Sequence, residues 1–96
     1  MTNNNTIEVH FMHPRKSGEL LTADISPHCT GHEALQGLMT DDGTGAFLVA
    51  PPNGQVYELA LKRTDEAITP NMTFMQAGVI DGDTVEVRLA GQGAGA

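Results

Sequence analysis

The residues Ala90-Gly91-Gln92-Gly93-Ala94-Gly95-Ala96 include one side chain larger than a methyl group and no charge. Glycine has no Cβ to obstruct a narrow channel, and it lets backbone approach backbone closely. A thread of this kind can carry a terminal carboxylate into another protein's active site, where that carboxylate is itself the reacting group. Gly91, Gly93, Gly95 and Ala96 are the candidate residues for such chemistry. The plainer reading of the same stretch is a low-complexity tail with no role.

Three other clusters hold reactive residue types. His28, Cys29 and His32 fall within about one helical turn of sequence. A structural zinc site takes four ligands, and no second cluster supplies the rest. Cys29 as a nucleophile would need a positioned base and a pocket, and a chain with one helix offers no obvious cleft. Asp41-Asp42-Gly43-Thr44-Gly45 and Asp81-Gly82-Asp83 pair carboxylates, but the first lacks the ligand set and spacing of a calcium loop. Both read as turns. The glycines after position 90 precede no helix and no lysine, so they cradle no phosphate. No metal, cofactor or enzymatic activity is expected.

The elements that must position the thread are legible from periodicity. Ile7, Val9 and Phe11 alternate with Glu8, His10 and Met12, the pattern of a half-buried strand. His13-Pro14-Arg15-Lys16-Ser17-Gly18 is turn chemistry, and Leu21, Ala23 and Ile25 then alternate with Leu20, Thr22 and Asp24. Thr30 followed by Glu33 forms a capping box, and Ala34, Leu35, Leu38 and Met39 follow at helical spacing. Residues 46–50 form an apolar run of strand length, and Pro51-Pro52-Asn53-Gly54 turns the chain into a strand-like run over 55–61. Residues 62–71 read as a polar loop. Residues 73–78 suit one helical turn closed by glycine, and Val85, Val87 and Leu89 share one face of a final strand. One helix cannot cover two sheet faces, so a single sheet should wrap around it. The first and last strands should lie parallel in its middle, because a long crossover joins them.

Bulk composition narrows the function classes. Ninety-six residues make one domain. With three Phe, one Tyr and no Trp, the core must be aliphatic. Five Lys and Arg against twelve Asp and Glu give a net charge of -7, which argues against nucleic acid and anionic membranes. No apolar run approaches the ~20 residues of a bilayer span. The polar residues 1–5 look like a frayed terminus rather than a leader. A single cysteine cannot form an internal disulfide, so a cytoplasmic location is expected.

This order of elements resembles ubiquitin-like proteins of the β-grasp fold. The likeness is carried by Ile25-Ser26-Pro27-His28-Cys29-Thr30 at the helix approach. It is also carried by Thr73-Phe74-Met75-Gln76-Ala77-Gly78-Val79 with Asp81-Gly82-Asp83-Thr84-Val85, close to the form found in small bacterial ubiquitin-like proteins. The resemblance implies an α+β fold with a mixed four- to five-stranded sheet around one α-helix. It divides the chain into a disordered 1–5, a domain over 6–89 and a flexible tail over 90–96. Modifiers of this kind have their terminal carboxylate adenylated by an activating enzyme, passed to a cysteine as a thioester, and joined to an amine of a target. Implied partners are activating and conjugating enzymes and a JAB-type peptidase, and the implied setting is bacterial antiphage defence. Ubiquitin-type modifiers mature to Gly-Gly, whereas this chain has glycines at 91, 93 and 95 before Ala96, so trimming after Gly93 or Gly95 would be needed for a glycine end. By the same resemblance the partner-binding surface comprises Met12 (or its neighbour His13), Leu48 and Arg88, flanked by His10 and Glu86. With so few apolar residues, that surface is not expected to bind ubiquitin's own receptors, and its bland reading is a solvated sheet face. Two alternatives stay open. One is a non-covalent interaction module like those associated with type VII secretion, with self-association through a sheet edge. The other is a sulfur carrier.

Overall fold

A computed structural model describes residues 6–16, 18–40, 45–51 and 53–91. The chain runs β1 (Ile7–Met12), β2 (Leu20–Ile25), α1 (Gly31–Leu38), β3 (Gln55–Leu61), β4 (Glu66–Ile68) and β5 (Thr84–Gly91). The strands make one mixed sheet in the order β2-β1-β5-β3-β4. β1 and β2 pair antiparallel from Ile7↔Ile25 to Met12↔Leu20. β1 and β5 pair parallel, with Phe11 opposite Val85, as the long crossover requires. β5 also pairs antiparallel with β3 from Val85 to Gly91, so the last strand is central.

The helix forms where the capping signal places it. Thr30 Oγ1 accepts from the Glu33 amide at 3.2 Å, and Glu33 Oε1 accepts from the Thr30 amide at 3.0 Å. Such a cap is worth about 1 kcal/mol. The next donors are met by the loop after β4: the Gly31 amide donates to Met72 C=O at 3.0 Å, and His32 to Pro70 C=O at 3.1 Å. The helix start is thereby wired to residues 70–72, which satisfies first-turn amides that a helix cannot satisfy itself. Gly31 is buried, and a Cβ there would sit 2.7 Å from Thr69 C=O.

The core lies between α1 and one sheet face. Val9, Phe11, Leu48, Leu59, Leu61, Phe74 and Val85 are its largest fully buried side chains. Phe11 meets Phe74 edge-on with ring centroids 6.2 Å apart. Phe74 belongs to the turn over 73–78. Thr73 and Gln76 cap that turn reciprocally, and Gly78 closes it at φ +83°.

Two expectations about the elements are corrected. Residues 46–50 form no strand: they return over the end of α1, where the Leu48 amide donates to Leu38 C=O at 3.0 Å. The run over 55–61 forms the strand expected there, and all seven of its residues pair in unbroken register with β5. Residues 66–68, expected in a loop, form β4; Asp65 at φ +61° makes the tight reversal that brings Glu66 back beside Leu61.

Candidate functional site

β5 is hydrogen-bonded between β1 and β3 and stays in register to Gln55↔Gly91. Ala90 and Gly91, expected in a free tail, are therefore ladder residues of the sheet. Pairing with residues 55 and 56 extends the strand two positions past Leu89, since small residues hold a ladder as long as a partner strand is present. Gly93, Gly95 and Ala96 lie outside the described residues.

The second expected site is the outer sheet face. Glu8, His10 and Met12 point away from the core, in alternation with Ile7, Val9 and Phe11. Arg88 is exposed on the same face of β5, between buried Val87 and half-buried Leu89. Met12, Glu86 and Arg88 line a shallow depression of about 260 Å³ together with His13, Pro14 and Val87. Arg88 is not a free cation: one Nη lies 2.7 Å from Asp65 Oδ1, and Glu86 holds the same guanidinium from its own strand. The Asp65 hydrogen bond, then that of Glu86, raises its pKa, so it is permanently charged. His10 Nδ1 is 2.7 Å from Thr22 Oγ1, and its Nε2 is 3.6 Å from Glu8.

Leu48 does not belong to this face. It is fully buried in the core, because its segment is a loop folded under the sheet and not an outer strand. Its neighbour Phe47 is partly buried and packs edge-on against His13 at 5.0 Å. Met12, His10 and Arg88 thus share a surface that Leu48 cannot reach.

The residues around Cys29 offer little chemistry. Its thiol is half-buried and donates a weak bond to Thr30 C=O at 3.5 Å. Burial, then the nearby Glu33 carboxylate, pushes its pKa up, which leaves less of the nucleophilic thiolate at neutral pH. Among the described residues, no three His, Cys, Asp or Glu side chains come together in a metal-binding group. Asp81 and Asp83 act as turn ligands: Asp81 accepts from the Glu8 amide, and Asp83 from the Ile80 amide. Arg63 clamps Asp83 through two nitrogens and also reaches Gly78 C=O at 2.9 Å. The Arg63 hydrogen bond holds the Asp83 carboxyl below its ordinary range.

The open part of β3 had no sequence expectation. β4 covers only Leu59 to Leu61 of β3, so residues 55–58 form an open edge among the described residues. The Lys62 amide bonds Thr84 C=O on the β5 side. By strand alternation, the backbone groups of Gln55 and Tyr57 therefore face the open side. Continued register would place Pro70 opposite Tyr57, but proline has no N–H to extend the ladder, and the chain leaves to bond the helix start instead. That proline was the available signal. Beside the edge lies an apolar groove of about 290 Å³ between β3, β4 and α1, with a further 240 Å³ hollow toward the end of α1. The Tyr57 hydroxyl donates to Val49 C=O at 2.7 Å at this rim. No helix among the described residues is long and apolar enough to cross a membrane. Comparison with protein-family models, curated proteins and solved structures finds no match for this chain.

Proposed function

We propose that the chain is a β-grasp, ubiquitin-like modifier of the cytoplasm that presents its carboxyl-terminal residues to a separate activating enzyme. On this reading the modifier supplies the carboxylate and its partners supply the catalysis: an ATP-dependent adenylating enzyme, a thioester-forming conjugating enzyme and a trimming peptidase. Support for the fold comes from the strand order β2-β1-β5-β3-β4, the central parallel β1–β5 pair and the one capped helix. The observation that carries the function is the placement of β5. It is central in the sheet and paired with β3 up to Gly91, and the residues after it are Gln92, Gly93, Ala94, Gly95 and Ala96. On this reading the central strand anchors the residues that enter a partner's channel, where glycine and alanine have no side-chain entropy to lose.

The test is an amino-terminally tagged chain expressed in its own cells, with denaturing purification and mass spectrometry. The expected result is a set of heavier species joined through the chain's terminal carboxyl to target lysines, absent when residues 92–96 are deleted. Equal behaviour of the deleted and intact chains would defeat the proposal. A carboxyl terminus with one oxygen replaced by sulfur would instead assign the tail to sulfur transfer.

A second reading is a non-covalent interaction module, favoured by the outer edge of β2, unpaired among the described residues, and the exposed Leu20 at its start. It predicts a partner complex indifferent to the deletion of 92–96.

A further inference from the structure

The half-open β3 strand plays no part in either reading, yet it has the components of a peptide-docking site. An added strand needs unpaired backbone groups, supplied here by Gln55 and Tyr57, and an apolar surface for its alternate side chains. Leu35, Val56, Tyr57, Ile68 and Pro70 provide that surface. Two of the few large apolar residues left exposed lie at this rim: Val56, 40% exposed, and Val49, 71% exposed, whose carbonyl holds Tyr57. Glycine and proline punctuate the approach through Gly54 and Pro51, and neither pairs with the edge among the described residues.

Charge decides between occupants. No Lys or Arg lines the groove or the adjoining hollow. Glu58 lies on the open edge itself, on the face away from Tyr57 and Leu59. It is exposed and in no ion pair among the described residues. The nearest arginine on the neighbouring strand, Arg88, is committed to Asp65 and Glu86. A second copy of the chain would bring another net charge of -7 to an edge that is already acidic, and like charges brought face to face oppose pairing. We infer that residues 55–58 of β3, with the groove of Leu35, Val56, Tyr57, Ile68 and Pro70, dock an extended, basic segment of a partner protein that adds a short strand to the sheet. Its apolar residues enter the groove, and its Lys or Arg residues, on the opposite face of the added strand, meet Glu58. The docking does not depend on conjugation through the carboxyl end.

Panning a phage-displayed library of random peptides on the full chain tests this. The expected enrichment is of peptides alternating β-branched or aromatic residues with Lys or Arg. For a synthetic copy of the best peptide, binding should slow amide exchange at Gln55 and Tyr57. Affinity should fall at least about tenfold in the Glu58→Lys variant, and should weaken as salt rises. Val56→Lys, at an exposed position, should weaken binding likewise and guards against misfolding of the Glu58 variant. Three results would overturn the inference: no enrichment, enriched peptides indifferent to both variants, or self-association of the free chain with the same two amides protected. The last would give the edge to a second copy.

Discussion

Replacing Gly31 and Gly37 by alanine adds the same methyl group to the same helix, yet the two changes should shift stability in opposite directions. Alanine is favoured over glycine inside a helix by up to about 1 kcal/mol, and Gly37 is exposed with nothing within 4 Å of the added Cβ. Gly37→Ala should therefore stabilise by roughly 0.5–1 kcal/mol. At Gly31 the methyl carbon would lie 2.7 Å from Thr69 C=O and 3.3 Å from Ile68 C=O. A relaxed carbon–oxygen contact is about 3.3 Å or more, so backbone must move by roughly 0.6 Å. Overpacking of this kind costs about 1–3 kcal/mol, more than the propensity gain at the first helical position. The net loss of about 1–2 kcal/mol corresponds to a Tm lower by roughly 5–15 °C in a domain of this size. Thermal melts followed by circular dichroism compare the two variants with the parent. A Gly31→Ala protein as stable as the parent would refute the close approach of α1 to residues 68–69, and with it the shape of the groove that Ile68 and Pro70 line.

Leu48→Ala should destabilise by about 2–5 kcal/mol in urea titration, as expected for a fully buried leucine; a loss within about 0.5 kcal/mol, the usual range for a surface residue, would return Leu48 to the exterior. Asp83→Asn should lower Tm by a few degrees at neutral pH. Because Arg63 lowers the folded pKa of Asp83, its contribution is present above the ordinary carboxyl range and is lost as pH falls through the lowered value, so parent and variant melts should begin to draw together below about pH 4 and coincide only once that lowered value is passed. A difference that persists at lower pH would show that the clamp is not ionic. Cys29 should react with iodoacetamide at pH 7 more slowly than a free cysteine, since burial and then Glu33 raise its pKa; an accelerated reaction would mean an activated thiol. Tyr57→Phe removes the hydroxyl bond to Val49 C=O and should cost about 1 kcal/mol in the same urea titration; an unchanged midpoint would mean that the bond does not hold the rim.

The elements legible in the sequence are those that short-range chemistry determines. Alternation placed β1, β2 and β5, and the Thr30–Glu33 pair placed the helix start to the residue. The parallel placement of β1 against β5 followed from connection length. The apolar run 46–50 misled because a strand and a loop that drops one leucine into a core have the same composition. Residues 55–61, also expected as a strand, pair with β5, whereas 46–50 bond the end of α1 through Leu48. β4 was hidden because three residues carry no period, and its reversal uses Asp65 instead of glycine. For the candidate site, Met12, His10 and Arg88 sit on the face that alternation gives them. The commitment of Arg88 to Asp65 could not be read, since it joins residues 23 apart through a turn that the sequence did not announce.

The position of β5 has a consequence for biosynthesis. Without it, the β1–β2 hairpin and the β3–β4 hairpin share no ladder, so neither half can finish the sheet while the ribosome still holds residues 84–91. The nascent chain must keep its aliphatic surface uncommitted until residues 84–91 have emerged, when closure of the distant β1–β5 contact completes the sheet in one cooperative step.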